Sequence, residues 1–133
     1  RGEWCPYCNK QLGTLQDSMK FILEKGASIV AVTPETIDNV EKTIEKTKAS
    51  FNIISDNHSK IMHDYKVAFV PDEKTTEKYK GYGIVLPERN GTNGNELPVP
   101  AVYIIDKEGK ITYRYFDHDY RKRASVKEII DHL

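Results

Sequence analysis

The sequence contains two cysteines, and both lie in the segment Trp4-Cys5-Pro6-Tyr7-Cys8. Two thiols separated by two residues can share one turn of helix, where they are close enough to form or exchange a disulfide. If a helix begins at the first cysteine, its free backbone N–H groups point at the sulfurs and favour thiolate over thiol. The segment therefore has the residue types and the spacing of a redox pair.

Pro6 supports a helix that starts at Cys5, because the first helical position has no N–H partner to lose and tolerates proline. In that arrangement we expect Cys5 to be the exposed cap that attacks a substrate. Cys8, one turn further in, would be partly covered and would resolve a mixed disulfide on Cys5. The spacing alone also fits a structural disulfide or half of a zinc site. The rest of the sequence is therefore needed to distinguish these sites from a redox pair.

Length and charge limit the other classes of function. The 133 residues are the size of one domain, which we predict to span residues 1–133, and 20 basic residues balance 20 acidic ones. A net charge of zero predicts neither nucleic acid nor an anionic membrane as partner. No apolar run approaches the roughly 20 residues that span a bilayer. A single cysteine pair favours a reducing, cytoplasmic location over a secreted disulfide framework, and we predict no cofactor.

Behind the cysteine segment, apolar periodicity predicts a helix of about four turns that ends at Gly26. Its apolar residues are spaced by three and four: Leu12, Leu15, Met19 and Ile22. Residues 27–32 are apolar and rich in β-branched side chains, which predicts a fully buried strand. Thr33 and Pro34 then start a second amphipathic helix that reaches about residue 48.

The remaining sequence continues the alternation of strands and helices. The predicted elements are a strand at 51–54, a short helix at 58–65, a surface helical turn at 72–80, an exposed loop at 88–96, a hairpin of 101–105 with 111–116, and a helix from about 125 to 132. This order predicts parallel pairing with an antiparallel edge, an α/β fold of the thioredoxin type. Residues 1–4 are too few and too polar to be more than the end of a strand, so we expect a preceding segment to supply the first central strand.

Several segments resemble, in order, the peroxiredoxin-like branch of the alkyl hydroperoxide reductase/thiol-specific antioxidant family. The matching residues are Arg1 to Asn9 with Leu12 and Leu15-Gln16, then Ile54-Ser55-Asp56, Leu97-Pro98-Val99-Pro100-Ala101, Ile105-Asp106, Gly109-Lys110-Ile111, Asp119-Tyr120 and Arg123. The resemblance implies a thioredoxin-like fold with a central mixed sheet flanked by helices, and a strand that leads into Arg1-Gly2. It also implies that the Val99–Pro100 bond is cis.

The chain departs from the family pattern at two points. In typical peroxiredoxins the peroxide-attacking cysteine follows a threonine by three residues, and here Cys5 takes the place of that threonine. This puts Cys8 in the attacking position. An arginine that holds the thiolate has no clear counterpart, because the matching strand contains none. We interpret the candidates Arg114, Arg121 and Arg123 as surface charges, and expect Asp119, Tyr120 and Arg123 to fix the last helix by a salt link.

The resemblance implies a thiol-dependent oxidoreductase, and two mechanisms stay open. Either Cys5 attacks a disulfide and Cys8 resolves, or Cys8 attacks a hydroperoxide and Cys5 condenses with the sulfenic acid. The predicted substrate contacts are Trp4, Pro6, Tyr7, Val99 and Pro100. The expected partners are a hydroperoxide or disulfide and an external thiol reductant such as thioredoxin, with the oligomeric state open and a homodimer allowed.

Two other classes remain. In the first, a non-catalytic thioredoxin-fold domain uses Cys5 and Cys8 as a structural disulfide. In the second, zinc binds the two cysteines and two histidines. A zinc site needs four converging ligands, and the histidines lack the close spacing of a zinc finger: His58, His63, His118 and His132. We therefore predict no metal.

Overall fold

A computed structural model describes all residues from Arg1 to Leu133. The helices are α1 (Pro6–Asp17), α2 (Met19–Glu24), α3 (Ile37–Thr47), α4 (Lys60–Asp64), α5 (Glu73–Gly81), α6 (Leu86–Asn90) and α7 (Val126–Asp131). The strands are β1 (Val30–Thr33), β2 (Asn52–Ser55), β3 (Ala68–Phe69), β4 (Leu97–Pro98), β5 (Ala101–Ile105) and β6 (Ile111–Phe116). No helix is long and apolar enough to cross a membrane.

The strands pair as the alternation predicts, except for one short pair that the sequence did not indicate. β1 runs parallel to β2, with α3 as the crossover between them, and β5 forms an antiparallel hairpin with β6. β3 and β4 add a second antiparallel pair of two residues each. The parallel unit and the hairpin have the predicted pairings, but the three pairs form separate two-stranded sheets and do not join into one mixed sheet.

One hydrophobic core joins the first helices to the last one. Leu15 of α1, Ile22 of α2 and Ile129 of α7 pack with Phe51 and Ala124. The predicted single helix after the cysteines divides at Ser18, whose φ of −102° and ψ of 6° leave the helical range. The apolar period continues across the break, so both pieces still bury their stripe in the core.

A slot separates β1 from β5. Residues 26–34 form one wall and residues 98–107 the other, with helix residues such as Leu12 and Ile129 beside them, around a cavity of about 900 Å³. The strand that precedes α3 was predicted to be fully buried, and this is wrong: Val30 is 55% and Val32 38% exposed. Within residues 1–133 no strand other than β2 pairs with β1, and residues 3–4 lie in a turn.

Two further segments differ from prediction because long-range contacts decide them. The second helix was predicted to begin at Thr33 and Pro34, but α3 is capped by Thr36. Residues 88–96 were predicted as an exposed loop, yet they contain the end of α6 and a 3₁₀ turn. Asn93 is buried, and its side-chain amide donates hydrogen bonds of 2.8 Å to the carbonyl oxygens of Pro34 and Asp56. These bonds hold the segment on the body of the domain.

Candidate active site

The two cysteines lie at the start of α1, as the proline at the first helical position predicted. Cys5 is the N-cap with extended backbone angles (φ −93°, ψ 108°), and Asn9 N–H donates to its carbonyl oxygen across 3.1 Å. The Sγ atoms of Cys5 and Cys8 are 2.6 Å apart. A disulfide bond is about 2.05 Å long, so these are two free thiols in contact.

The burial of the two thiols is the reverse of the prediction. Cys5 is 1% exposed, whereas Cys8 is partly exposed and lines the slot between β1 and β5. The reason lies in the preceding residues, which turn back on the helix start: Cys5 N–H donates to the Gly2 carbonyl across 3.0 Å. Cys8, and not Cys5, is therefore the cysteine that lines the slot.

Arg123 contacts Cys8, although the sequence suggested a surface charge. Its Nη2 donates to Cys8 Sγ across 3.2 Å. The same guanidinium donates from Nη1 to Gln11 Oε1 and from Nε to the Tyr120 carbonyl, both across 2.7 Å. Three bonds in different directions fix the plane of the guanidinium beside the sulfur. The expected salt link to the last helix is absent, since Asp119 pairs with its neighbour Arg121.

The electrostatics of the pair favour a thiolate on Cys8. The hydrogen bond from Cys5, together with the positive charge of Arg123, lowers the pKa of Cys8 below its ordinary value. The hydrogen bond with Cys8, together with burial, raises the pKa of Cys5 above its ordinary value. Cys5 therefore keeps its proton and donates it towards the Cys8 thiolate. One sulfur is set up as the nucleophile and the other as its proton-bearing neighbour.

The turn before Cys5 is held by two glutamates whose role the sequence did not indicate. The Glu3 carboxylate pairs with Lys46 of α3 and, across 3.0 Å, with Arg89 of α6, and these bonds lower its pKa. Glu3 N–H donates to Oε2 of Glu35 across 2.9 Å. Glu35 is fully buried, and burial raises its pKa. No spacing or periodicity points to this contact, because it forms only when the start of the chain folds onto the loop after β1.

Aromatic side chains surround the turn. Trp4 packs on Tyr79 with ring centroids 5.2 Å apart, and the Arg1 guanidinium lies 4.2 Å from the ring centroid of Tyr120. Tyr7 is 40% exposed and meets Tyr120 edge-on. Three of the predicted substrate contacts lie next to the thiols. Pro6 and Tyr7 are exposed at the surface, whereas Trp4 packs inward.

Val99 and Pro100 lie between β4 and β5 and line the same slot as Cys8. The predicted cis bond between them is wrong, since no peptide bond of the chain is cis. Between β4 and β5, Val99 N–H donates to the Val67 carbonyl across 2.8 Å. This path is compatible with the trans isomer, which has the lower energy.

Cys5 and Cys8 have no further side chains beside them that could complete a metal site. Nowhere do three or more side chains of histidine, cysteine, aspartate or glutamate converge as metal ligands. Of the four histidines, His63 pairs with Glu96 and His132 stacks on Tyr113. The zinc alternative therefore lacks its third and fourth ligands.

Solved structures share the fold of this chain. Peroxiredoxin 6 of Arenicola marina matches with a TM-score of 0.72 and 17% identity, over 98% of this chain and 54% of its own. Peroxidoxin BcpB of Mycobacterium tuberculosis matches with a TM-score of 0.64 and 17% identity, over 86% and 61%. A yeast mitochondrial 1-Cys peroxiredoxin matches with a TM-score of 0.67 and 16% identity, over 97% and 56%.

At these identities the likeness shows the fold alone, which is thioredoxin-like, and the chain spans little more than half the length of these structures. No curated protein is significantly similar to it in sequence. The family is shown by the sequence itself, because residues 1–114 match the AhpC/TSA family. The chain belongs to the AhpC/TSA family, as the cysteine segment and the later Pro-Val-Pro-Ala segment predicted.

Proposed function

We propose that the protein is a thiol peroxidase in which Cys8 attacks a hydroperoxide and Cys5 resolves the product. One observation carries the proposal: the accessible sulfur is also the one whose proton is removed most easily. Cys8 lines the slot and accepts a hydrogen bond from Arg123 across 3.2 Å, and the hydrogen bond from Cys5 lowers its pKa. A thiolate at neutral pH is the species that reacts with peroxides.

The first step oxidises Cys8. Its thiolate attacks the terminal oxygen of a hydroperoxide ROOH, the S–O bond forms and the O–O bond breaks. The leaving alkoxide takes up one proton and departs as the alcohol ROH, and Cys8 becomes a sulfenic acid. Arg123 supports this step because its guanidinium is fixed by Gln11 and Tyr120 and places positive charge beside the reacting sulfur.

The second step joins the two cysteines. Cys5 attacks the sulfur of the sulfenic acid, the hydroxyl leaves as water with the proton of the Cys5 thiol, and a Cys5–Cys8 disulfide results. The 2.6 Å separation of the sulfurs means that little movement is needed. Two electrons from an external thiol reductant then restore both thiols. The yeast structure describes thiol resolution through glutathione and thioredoxin systems, and we propose a reductant of that class here.

Disulfide reduction is the second candidate, and it uses the same sulfurs. Burial of Cys5 disfavours the version in which Cys5 attacks first, because an incoming disulfide cannot reach it. Attack by Cys8 on a disulfide stays open. The non-catalytic alternative is a structural disulfide. It would not explain the lowered pKa of Cys8 or the contact between Cys8 and Arg123.

Rapid mixing separates these candidates. Trp4 is the sole tryptophan and lies beside Cys5, so its fluorescence should report oxidation of the pair. Reduced protein is mixed with hydrogen peroxide or, separately, with a small disulfide. We expect a fast change with peroxide and a slow one with the disulfide. A fast change with the disulfide alone would establish the exchange reaction, and no change with either would support the structural disulfide.

A further inference from the structure

We propose that Asn93 is a site of spontaneous deamidation that the folded structure blocks, and that its conversion to aspartate releases residues 91–96 from the ends of β1 and β2. This modification site goes beyond the proposed function and does not rest on it. Glycine follows two asparagines of the chain, Asn90 and Asn93. Glycine has no side chain to crowd its backbone nitrogen, so this nitrogen can reach the side-chain carbon of the preceding asparagine.

Deamidation needs no reagent besides water. The backbone nitrogen of Gly94 attacks Cγ of Asn93, a new N–Cγ bond forms, and the bond from Cγ to the amide nitrogen breaks. The amide nitrogen leaves as ammonia with the proton of the Gly94 N–H, and a cyclic imide remains. Water then opens the imide to aspartate, or to the isomer in which the main chain passes through the side chain. No electron is transferred, and the chain gains a carboxylate.

In the folded chain both reacting groups are held in place. The Gly94 N–H donates to the Gly91 carbonyl across 3.0 Å, so its nitrogen is not free to attack. The side-chain amide of Asn93 donates across 2.8 Å to the carbonyl oxygens of Pro34 and of Asp56. These bonds fix Cγ, and Asn93 is buried. The reaction therefore requires the segment to open first.

The two carbonyl partners of Asn93 come from different parts of the chain. Pro34 follows β1 and Asp56 follows β2, so Asn93 joins residues 91–96 to the ends of both parallel strands. Asn90 makes comparable bonds, but to two carbonyls of its own segment, both across 3.1 Å. Conversion of Asn93 therefore removes bonds to the parallel strands, whereas conversion of Asn90 does not.

The product does not fit the place of the asparagine. Asparagine has two N–H donors, whereas an ionised aspartate has acceptors alone. At position 93 its carboxylate would face the carbonyl oxygens of Pro34 and Asp56 without a proton for either. Asp56 also carries a buried carboxylate of its own, and like charges in a buried place repel strongly. The segment must open for the reaction, and the product then opposes its closure.

Ageing of the unmutated protein tests whether the fold blocks the reaction. The protein is kept at mildly alkaline pH in native buffer and, in parallel, in guanidinium chloride. Trypsin then releases residues 90–107, and fragmentation locates the mass gain of deamidation along this peptide. We expect Asn93 to convert in guanidinium and to convert at least about tenfold more slowly in the native protein. Equal rates in the two conditions, or no conversion in guanidinium, would overturn the proposal.

Asn93→Asp tests the effect of conversion, and Asn95→Asp is its matched control. Asn95 is two positions away and exposed, so its substitution adds the same charge at the surface. The backbone N–H groups of Gly94 and Glu96 are hydrogen-bonded within the segment, and their exchange with solvent reports its opening. This exchange should be at least about tenfold faster in Asn93→Asp and unchanged in Asn95→Asp. Unchanged exchange in Asn93→Asp, or equal acceleration by both substitutions, would refute the proposal.

Asn93→Ala takes the place of Asn93→Asp if the latter does not fold, because it lacks the same two donors and adds no charge. Faster exchange at Gly94 and Glu96 in this variant supports the proposal. Exchange at the rate of the unmutated protein contradicts it.

Discussion

Arg123 donates a hydrogen bond from Nη2 to Sγ of Cys8 across 3.2 Å, although 115 positions separate the two residues in the sequence. The bond connects the segment before α7 to the start of α1 and places a fixed positive charge at the sulfur. The preferred protonation state of the cysteine pair therefore depends on a residue far outside the cysteine motif.

Removal of Arg123 should raise the pKa of Cys8. In Arg123→Ala the thiolate loses both a charge and a donor, and loss of an opposite charge at this distance is worth about one to three pKa units. Arg123→Lys should keep part of the effect, because it retains the charge without the planar fork. The pKa is measured from the ultraviolet absorbance of the thiolate, and the rate of oxidation by peroxide is expected to fall with it.

Arg121 provides a matched control for this prediction. It is two positions away, is exposed and pairs with Asp119 without contacting Cys8. Arg121→Ala should leave the thiolate pKa and the oxidation rate unchanged. Equal effects of the two alanine variants would show that general surface charge, and not the contact with Arg123, sets the acidity of Cys8.

The rate at which peroxide oxidises Cys8 should fall as the pH is lowered into the acid range. Because the pKa of Cys8 is lowered, its thiolate is populated around neutrality and is lost as the pH falls through the lowered pKa. Oxidation by peroxide should therefore be nearly constant around neutrality and decline in acid. Cys5→Ala removes the principal hydrogen bond to the thiolate, so it should move the decline to higher pH, whereas Cys5→Ser retains a donor and should move it less. A decline near the ordinary thiol pKa in the unmutated protein would contradict this reading.

Two glycine substitutions test the turn that buries Cys5. A Cβ at Gly2 would clash with Oε1 of the buried Glu35, so Gly2→Ala forces that region apart. Overpacking of this kind typically costs about 1–3 kcal/mol of unfolding free energy. Cys5 should also become more accessible to alkylating reagents.

Gly13 is the control, since it lies within α1 and an added Cβ there meets nothing within 4 Å. Gly13→Ala should stabilise the protein by up to about 1 kcal/mol, because alanine has the higher helix propensity. Chemical denaturation measures both free energies. If Gly2→Ala is as stable as the unmutated protein, the close approach of Gly2 to Glu35 does not define the turn.

We also propose that residues 1–133 form a single domain that lacks an N-terminal segment, and that the slot between β1 and β5 accepts one added strand. Neither β1 nor β5 has a strand partner at the slot, and the lining is mainly apolar. Arg1 and Gly2 line the same slot. A strand of alternating valine and threonine fused before Arg1 should pair with both edges, raise the melting temperature and protect the amides of β1 and β5 from exchange.

The control for the strand is the same fusion with two prolines at its centre, which cannot donate to a ladder. It should leave stability and amide exchange close to those of the unfused protein. Equal protection by both fusions would mean that the slot is closed by general contact and not by strand pairing.

The sequence predicted those features that depend on local pattern. The helix start at Cys5 follows from Pro6, and the hairpin of β5 and β6 follows from two β-rich runs around a polar turn that contains Gly109. The parallel unit of β1 and β2 follows from the alternation of strands and helices. Each of these signals lies within the element or at its ends.

The sequence did not predict features that depend on distant contacts. Burial of Cys5 results from the turn that Glu3 and Glu35 hold, and the acidity of Cys8 results in part from Arg123. The order of segments along the chain contains no information on which side chains meet across the slot or at the helix start. The family resemblance had placed Cys8 in the attacking position, whereas the burial of Cys5 and the contact of Cys8 with Arg123 were available only from the three-dimensional structure.

Sulfenic acid formation in the two single-cysteine variants tests the central claim most directly. Cys5→Ser and Cys8→Ser are each mixed with hydrogen peroxide in the presence of dimedone, which labels sulfenic acids, and the labelled peptide is identified by mass spectrometry. The account predicts rapid labelling of Cys8 in Cys5→Ser and little labelling of Cys5 in Cys8→Ser. Labelling of Cys5 in Cys8→Ser, with Cys8 unreactive in the other variant, would contradict it.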